Sequence, residues 1–600
     1  MKNAHAFHIP VMGIGFTIDS PLKVAHYGMD SVISLVDDIL LEKLRKIYSD
    51  KFEVPYKEIT DKIDDFRAKR ITSYLNLIHE QAEKKFEALK NVTAEKSDAI
   101  KDYIYMLPEY STIKKEFAKL TQQSIDFLKL KEWAHNNLTM GSIDVNIMTK
   151  IDKDNYIKKK QLPIEYNDAH AALRGYANST LSSSLVLSAG MNPRLYSYIS
   201  QFDDFFPSEI GNIKKKIILK VSDYRSAFIQ GKFLAKKGLW VSEYRIESGL
   251  NCGGHAFATD GFLLGPVLKE FKEKRSELKE TIQKLLFESL EAENRTIPQN
   301  ELSLKITTQG GVGTDEEQTF LMEEYHIDSV GWGSPFLLVP EATSVDNNTL
   351  KQLVNAREED LYLSNTSPLG VPFNTLKGNT KDIEKQVFID RGRPGSSCPN
   401  KFIALNKEFK ETGTCTASRE YQYLKIKELE MLEISTEEKI EKYNQIVEKS
   451  CICVGLGTST LLLNNSDTKK IGKGVSICPG PNMAYYSKVM SLKDITSHIY
   501  GRENMITRFD RPNMFIKELA IYIDYLQNKV ADVKVSFDKK QQRYLKKFKR
   551  NLEEGIQYYN VLFLEQKEHF ITSKDVILGA LQKGKEQLQY IGVEIDNLER

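Results

Sequence analysis

Residues 304–334 read LKITTQGGVGTDEEQTFLMEEYHIDSVGWGS, and this stretch decides the fold class. It contains a short β-branched run, a loop with two adjacent glycines, a helical segment, and a second β-branched run that ends in another glycine loop. A strand, a helix and a second strand in this order form the repeating unit of a parallel sheet, because the helix returns the chain to the edge where the first strand began. The stretch therefore predicts an α/β protein.

The same alternation extends over the first 375 residues of the chain. Short apolar, β-branched runs separated by helical stretches occur at 9–14, 31–36, 142–148, 185–189, 216–221, 240–246, 304–308 and 329–332. Eight is the number of strands that closes a barrel filled by its own side chains. A doubly wound open sheet is the alternative, since it is built from similar units. We predict a (β/α)8 TIM barrel over residues 1–375.

Helical segments interrupt and follow the predicted barrel. Residues 37–137 form a large helical insertion after the second strand, with Ile71, Leu75 and Ile78 at helical spacing. A second helical insertion, residues 266–296, follows the sixth strand. A cysteine-containing extension (376–510) and a helical C-terminal region (511–600) complete the chain. We expect these helices to cover the barrel or to form a contact between copies of the chain in a homo-oligomer.

The composition is that of an ordinary soluble globular protein. Of the 600 residues, 41% are hydrophobic and 28% charged, and the formal net charge is +2. Such a balance creates no large field to attract nucleic acid or anionic lipid, so neither is expected as a partner. We expect no secretory signal and no membrane span. Six cysteines do not make a disulfide scaffold, which predicts a cytoplasmic location.

The segment 247–255, ESGLNCGGH, ends the predicted sixth strand. In a (β/α)8 barrel, catalytic groups lie on the loops after the strands. Gly253 and Gly254 allow the backbone to pass close to a flat ring, because neither has a Cβ. His255 would then lie at the mouth of the barrel, and an imidazole pKa of about 6.5 suits proton transfer at neutral pH. The motif predicts a catalytic His255, the alternative being a tight turn before a hydrogen-bonded histidine.

Two glycine loops follow the predicted seventh and eighth strands. They are TQGGVGT at 308–314 and SVGWGS at 329–334. Successive backbone N–H groups in such loops, and at the N-terminus of the helix that begins near Asp315, form an anion cradle. Phosphate sites of these barrels lie on the same two loops. We predict a phosphate site here, with plain tight turns as the alternative.

These motifs together resemble the nitronate monooxygenase (2-nitropropane dioxygenase) family, which also includes FMN-dependent enoyl reductases of fatty-acid and polyunsaturated-fatty-acid synthesis. The resemblance lies in Gly-Gly-His at 253–255, Gly-Gly-Val at 310–312 and Gly-Ser-Pro-Phe at 333–336. PVMGIG at 10–15 and DVNIM at 144–148 resemble the family's first and third strands. Outside the insertions, the likeness covers about 9–36 and 140–375. The chain differs from the family at Asn251, Cys252 and Phe257.

The resemblance implies an FMN-dependent oxidoreductase, a flavoprotein whose substrate reduces the flavin at N5, with monooxygenase-type chemistry in the nitronate enzymes. It implies His255 as the acid/base beside N5. Lys220 would be a cation near N1 and O2 of the flavin, the alternative being an exposed lysine at a strand end. The residues implied to bind the cofactor are Gly13, Asn146, Lys220, Gly253, Gly254, Gly310, Gly311, Gly333 and Ser334.

Most of the cysteines lie outside this resemblance, in the extension. They are Cys398, Cys415, Cys451, Cys453 and Cys478. Four thiolates could hold an iron–sulfur cluster that passes electrons to a flavin, or a structural zinc. No pair has the C-x-x-C spacing typical of such sites. Buried free thiols are therefore the leading interpretation, with a cluster or zinc as alternatives.

Several functions fit these observations. The leading hypothesis is an FMN-dependent oxidoreductase, which acts either on a small nitronate-like molecule or on an enoyl thioester. A second hypothesis is a phosphate-binding barrel without flavin, such as an isomerase or aldolase, in which Lys220 or His255 would carry the chemistry. A third is a non-catalytic scaffold whose helices bind a partner.

Overall fold

Eight parallel strands close into a barrel in a computed structural model that describes residues 4–93, 97–122, 126–535 and 538–599. The barrel strands are β1 (Phe7–Ile9), β2 (Asp30–Ser34), β3 (Ile143–Met148), β4 (Ser184–Ser188), β5 (Lys216–Val221), β6 (Val241–Glu247), β7 (Lys305–Gln309) and β8 (Ser329–Gly331). Pairing of β1 with β8 closes the ring. The predicted (β/α)8 barrel is confirmed, and the open-sheet alternative is wrong.

The first strand differs most from its prediction. Seven observed strands agree with the predicted runs to within two residues, but β1 ends at Ile9 instead of beginning there. Pro10 has no N–H group to continue the ladder. Gly13 adopts a left-handed φ of +55°, which turns the chain across the barrel mouth. Only the first residue of the run 9–14 therefore belongs to a strand. The rest of the run is apolar because it covers the mouth of the barrel.

Side chains alternate between the two faces of each strand. On β3, Ile143, Val145 and Ile147 belong to the main hydrophobic core, whereas Asp144 and Asn146 occupy the alternate positions. Val32, Val186 and Ile218 form a separate apolar cluster. Strands β2 and β4 do not pair, so this contact must cross the barrel interior. The polar residues that break the apolar runs therefore point inward.

Helices connect the strands and surround the barrel. The connection from β2 to β3 contains the helices Asp38–Lys51, Phe66–Lys90, Asp98–Met106, Thr112–Thr121 and Phe127–Asn137. The other connections contain Ser20–Val24, Asp168–Ala177, Pro193–Ile199, Tyr224–Ala235, Leu264–Glu273, Arg275–Ala292 and Asp315–Tyr325. Arg275–Ala292 packs beside Tyr224–Ala235 and thus joins the outer layer of the barrel.

The chain after β8 contains further helices and small hairpins. Its helices are Asn347–Val354, Thr380–Asp390, Arg419–Glu430, Thr436–Glu448, Ile452–Leu463, Leu492–Ile499, Met514–Val535, Lys539–Glu565 and Lys574–Asp596. In this part of the chain the strand Leu361–Ser364 pairs with Phe373–Leu376. A second short hairpin lies earlier, after β3, where Tyr156–Ile157 pairs with Lys160–Gln161. The last three helices pack together and form a helix-rich C-terminal extension over its described residues; 536–537 and Arg600 lie outside them.

The helix Ile452–Leu463 covers the mouth of the barrel. The N–H of Gly15 donates to the Leu456 carbonyl at 2.9 Å, and Thr460 Oγ1 donates to the Gly15 carbonyl at 2.6 Å. In the part of the chain that the structure describes, no single helix is long and apolar enough to span a membrane. The consecutive helices Thr436–Glu448 and Ile452–Leu463, which are bent by 42° relative to each other, together meet that test by length and composition only.

Replacing Gly141 by alanine should destabilise the fold by about 2 kcal/mol. Gly141 precedes β3, and a Cβ at this position would overlap the backbone carbonyl of Met29, which cannot move away as a flexible side chain could. Gly579→Ala is the matched control, because a Cβ there meets no atom within 4 Å. In a helix interior it should stabilise by about 0.5–1 kcal/mol. Thermal unfolding of the two variants measures both changes in stability. Equal changes would contradict the close packing of Gly141 against Met29.

Candidate functional site

The loops at the carboxyl ends of the strands enclose a cavity of about 380 Å³. This volume lies within the roughly 300–1,000 Å³ typical of small-molecule sites. Side chains near the strand ends line its floor, among them Ser34, Asn146, Lys220, Glu247 and Gln309. Because this face carries the active sites of (β/α)8 enzymes, the cavity is the candidate active site.

All the site residues predicted from the sequence line this one cavity. They are His255, Gly13, Asn146, Lys220, Gly253, Gly254, Gly310, Gly311, Gly333 and Ser334. They come from loops or strand ends on six of the eight strands, so the fold has brought them together from distant parts of the chain. Their individual catalytic and cofactor-binding roles stay predictions.

The two glycine loops lie side by side, because β7 pairs with β8 with Gln309 opposite Gly331. Gly310 and Gly311 have φ values of +105° and +86°, which residues with a Cβ rarely adopt. A Cβ on Gly311 would also overlap the side chain of Asn251. Both conformation and packing therefore require glycine in the first loop.

Backbone N–H groups of these loops are available to a ligand. Those of Gly311, Val312 and Ser334 donate to no acceptor among the described residues. Buried amide donors are nearly always satisfied in folded proteins. Unpaired amides beside a cavity therefore indicate an anionic or hydrogen-bond-accepting ligand.

The helix after the first loop begins with a side-chain cap and three acidic residues. Thr314 Oγ1 accepts from the N–H of Glu317 at 3.1 Å and so occupies one terminal amide. The first turn carries Asp315, Glu316 and Glu317, whose carboxylates complement the positive end of the helix dipole. The contribution of this N-terminus to an anion site stays a prediction.

Side chains from the far end of the sequence fix the geometry of the first glycine loop. Asn482 Nδ2 donates to the carbonyl oxygens of Gly311 and Val312 at 2.8 and 2.7 Å. Arg511 Nη2 donates to the same Gly311 oxygen at 2.9 Å. In a trans peptide the N–H points opposite to the preceding C=O. Fixing the Gly311 oxygen therefore fixes the direction of the Val312 N–H.

Arg511 is held by a buried ion pair. Its two terminal nitrogens each donate to an oxygen of Glu317 at 2.8 Å, and the two side chains are only 7% and 2% exposed. Burial opposes the charge of Arg511, but attraction to Glu317 outweighs it and raises its pKa. Sequence reasoning missed Asn482 and Arg511, which lie 171 and 200 residues from Gly311 without any motif of their own.

The same extension packs against the second loop and the Gly-Gly-His segment. The N–H of Gly480 donates to Ser334 Oγ at 2.7 Å. A Cβ on Gly253 would lie 2.5 Å from the carbonyl oxygen of Cys478, so this glycine permits close packing. Gly254 has a φ of +78°, and a Cβ there would meet nothing within 4 Å. Gly253 is therefore packed against the extension, whereas Gly254 has open space beside it.

His255 is held at the cavity wall in its neutral form. Its Nε2 lies 2.7 Å from Ser367 Oγ, and its ring contacts Phe373 at a centroid distance of 4.9 Å. Burial lowers the pKa of His255 from 6.5 to about 4. Nδ1 forms no hydrogen bond to any described residue. An imidazole with one anchored nitrogen and one free nitrogen can accept or donate a proton in the cavity.

An NMR titration of the His255 ring should give a midpoint near pH 4, with the ring neutral above about pH 5. The pKa of His255 in the folded chain lies below the ordinary value of 6.5, which applies to the unfolded chain. As the pH falls, the unfolded chain therefore binds this proton before the folded chain does. The contribution of His255 to stability is therefore complete above 6.5 and falls as the pH drops toward 4. A midpoint at or above 6.5 would contradict the buried environment.

Lys220 is largely buried and paired, so the alternative of an exposed lysine at a strand end is wrong, whereas its role beside a flavin stays a prediction. Its Nζ lies 2.8 Å from an oxygen of Glu247, and the side chains are 14% and 24% exposed. Gln309 Nε2 donates to the other Glu247 oxygen at 2.8 Å. Burial, followed by the charge of Glu247, raises the pKa of Cys252 well above its ordinary value. Cys252 is therefore a protonated thiol in the cavity wall.

Two amide oxygens at the cavity have no partner among the described residues. They are Asn146 Oδ1 and Asn251 Oδ1. Leaving a buried polar atom unpaired costs about 1–3 kcal/mol. A ligand with N–H donors at its edge would satisfy such oxygens.

Two of the five cysteines of the extension, Cys453 and Cys478, line the cavity, and Cys398, Cys415 and Cys451 do not. All six cysteines of the chain are free thiols. Over the described ranges, no group of three or more His, Cys, Asp or Glu side chains is arranged to hold a metal ion. An iron–sulfur or zinc site is therefore not shown by these residues.

No protein-family model and no curated protein matches the chain. Among solved structures, the enoyl reductase domain of MlnA from the macrolactin biosynthesis cluster of Bacillus amyloliquefaciens matches at 14% identity and a TM-score of 0.34, covering 62% of this chain and 84% of that one. FabK from Thermotoga maritima matches at 13% and 0.29, covering 63% and 80%. Nitroalkane oxidase from Streptomyces ansochromogenes matches at 8% and 0.33, covering 83% and 96%. These likenesses are too distant to carry a functional argument.

Proposed function

We propose that this barrel binds FMN and is an oxidoreductase of a small nitronate-like substrate. One observation carries the proposal: two glycine loops with unpaired backbone amides line the same cavity as a partly buried, neutral His255. A phosphate cradle alone would suit many ligands. The histidine and the unpaired side-chain oxygens add a proton-transfer group and a polar edge to the same cavity.

The residues present fit a flavin. FMN has a phosphate at one end and, at the other, a flat ring system with both hydrogen-bond donors and acceptors at its edge. The amides of Gly311, Val312 and Ser334 would bind the phosphate. Asn146 would accept a hydrogen bond from the ring edge through its unpaired oxygen. Gly254, which has open space beside it, would allow the ring to approach the backbone.

When bound, FMN would supply two-electron oxidation of the substrate. His255 would hold or accept the proton at Nδ1, while Ser367 fixes the ring through Nε2. At neutral pH the imidazole is in its base form, because burial has lowered its pKa. Lys220 would donate a hydrogen bond from Nζ while Glu247 holds it in place.

The first experiment is the visible spectrum of the purified chain, followed by identification of any chromophore released on denaturation. We expect flavin absorbance and release of FMN. Anaerobic addition of a nitronate should bleach that absorbance, whereas bleaching by NAD(P)H with turnover of an enoyl thioester would assign the alternative reductase activity. A colourless protein that takes up no added FMN, or one that binds a sugar phosphate instead, would contradict the proposal and favour the flavin-free barrel.

Substituting His255 by alanine should lower kcat about 100-fold, as loss of a general acid–base group does. The flavin spectrum should not change, because the phosphate loops and the amide side chains remain. Ser367→Ala is the matched control: it removes only the hydroxyl that orients Nε2, so its loss should be much smaller. Full activity of the alanine variant would exclude His255 as the proton-transfer group.

The location and assembly inferred from the sequence are also proposals. We infer a cytoplasmic protein, which agrees with six cysteines present as thiols. We further propose a homo-oligomer formed through the helical insertions.

A further inference from the structure

The side chain of Asn251 lies in the wall of the cavity, but the flavin proposal gives it no role. The residue is 1% exposed, and its Oδ1 accepts no hydrogen bond from any described residue. Buried polar atoms are nearly always hydrogen-bonded in folded proteins, because leaving one unpaired is costly. An unpaired acceptor that lines a ligand cavity therefore indicates a hydrogen-bond donor on the ligand.

The amide of Asn251 is oriented by the C-terminal part of the chain. Its Nδ2 donates to the Met514 carbonyl at 3.0 Å, and the N–H of Met514 donates to Glu317 at 2.7 Å. The two atoms Nδ2 and Oδ1 share one planar group, so fixing Nδ2 on Met514 directs Oδ1 away from that carbonyl. The oxygen is thus oriented before a ligand binds.

The backbone of Asn251 is held by the same helix. Its N–H donates to Ser248 Oγ at 3.3 Å, and that hydroxyl donates to the carboxylate of Glu518, which is itself 1% exposed. Met514 and Glu518 are four residues apart on the helix Met514–Val535, so they lie on one face of it. One helix face therefore positions both the backbone and the side chain of Asn251.

Asn251 lies beside the glycine loop that would bind the phosphate. A Cβ on Gly311 would overlap the Asn251 amide and would lie 3.5 Å from its Oδ1, and a Cβ on Gly310 would lie 3.2 Å from the Asn251 carbonyl oxygen. A phosphate group is an anion with strong acceptor oxygens, so an amide oxygen does not bind it. The partner of Oδ1 should therefore be a neutral donor next to the phosphate.

In FMN this donor exists in the ribityl chain, which joins the phosphate to the ring and carries hydroxyl groups. A hydroxyl can donate to one group and accept from another. The other unpaired amide oxygen at the cavity belongs to Asn146 on β3, which lies across the barrel from β7 and its glycine loop. The two oxygens are therefore separated in the same order as the chain and the ring of FMN.

We propose that Asn251 binds the ribityl chain of FMN by accepting a hydrogen bond from one of its hydroxyl groups at Oδ1. This inference rests on the proposed function and adds a contact to the segment between phosphate and ring. An amide suits the position because, unlike a carboxylate, it accepts a hydrogen bond without placing a negative charge beside the phosphate.

The binding of three flavins to the flavin-free, full-length chain tests the assignment. Lumiflavin has the ring without a ribityl chain, riboflavin has the ring and the chain, and FMN also has the phosphate. Asn251→Ala should weaken the binding of riboflavin and FMN about tenfold, because one hydrogen bond to the chain is lost, and should leave lumiflavin unchanged. Asn146→Ala is the matched control, since loss of a contact to the ring should weaken all three flavins alike. Quenching of flavin fluorescence gives each Kd.

Two results with the variant would overturn the assignment. They are an unchanged affinity of Asn251→Ala for riboflavin and an equal loss of affinity for lumiflavin. The unaltered chain gives a further test that needs no variant to fold: riboflavin should bind at least about tenfold more tightly than lumiflavin, and equal affinities would overturn the assignment. An unaltered chain that binds no flavin at all would overturn the proposed function and this assignment with it, so the two failures are distinguishable.

Discussion

FMN should bind the purified chain about 1,000-fold more tightly than riboflavin, which lacks only the phosphate. Each hydrogen bond to a charged group contributes about 1.5–3 kcal/mol, and three loop amides are unpaired among the described residues. Even at the lower limit the sum is about 4.5 kcal/mol, which corresponds to more than about 1,000-fold in Kd. Each compound is titrated into flavin-free protein, and binding is monitored by the quenching of flavin fluorescence. The ratio of the two Kd values gives the preference.

A pair of glycine variants localises this preference. Gly311→Ala introduces a Cβ at a φ of +86° against Asn251, and it should remove most of the preference for FMN over riboflavin. Gly370→Ala imposes similar backbone strain at a φ of +70°, but in open space outside the cavity. It should therefore preserve the preference. Equal affinity for FMN and riboflavin in the unaltered chain would exclude a phosphate site on these loops.

Replacing Arg511 by methionine should destabilise the protein by about 3–5 kcal/mol. The substitution leaves the Glu317 carboxylate, which is 2% exposed, without its cationic partner, so that only the backbone N–H groups of Gly313 and Met514 still donate to it. It also removes a hydrogen bond to the Gly311 carbonyl. The double variant Arg511→Met/Glu317→Gln should recover much of the loss, because the buried charge is gone. Thermal unfolding of the three proteins measures the effect.

The nearby Arg508 is a matched control for that prediction. It also pairs with a carboxylate, that of Asp510, but the two side chains are 34% and 64% exposed. Exposed ion pairs contribute little to stability. Arg508→Met should therefore leave the unfolding temperature unchanged. If Arg511→Met were equally neutral, the buried ion pair would not be what holds the glycine loop.

Local sequence features predicted the barrel and the positions of its site loops. β-branched runs located seven strands to within two residues, since strand propensity and alternation depend on near neighbours. The loops GGH and GGVG followed from the rule that active sites lie at the carboxyl ends of strands. The first strand was misplaced, because the apolar residues after Pro10 cover the cavity instead of continuing the ladder.

The sequence could not predict what the distant extension contributes. Asn482 and Arg511 reach the glycine loop through tertiary packing, and neither belongs to a recognisable spacing pattern. The pairing of Lys220 with Glu247 also depends on the register of β5 against β6, where Lys220 lies opposite Arg245. Such contacts are fixed by the fold as a whole.

A crystal structure of the chain grown with FMN tests the central claim most directly. We predict phosphate density within hydrogen-bond distance of the backbone nitrogens of Gly311, Val312 and Ser334, with the flavin ring beside His255. Phosphate density elsewhere, or an empty cavity at saturating FMN, would contradict the assignment of the two glycine loops as the phosphate site.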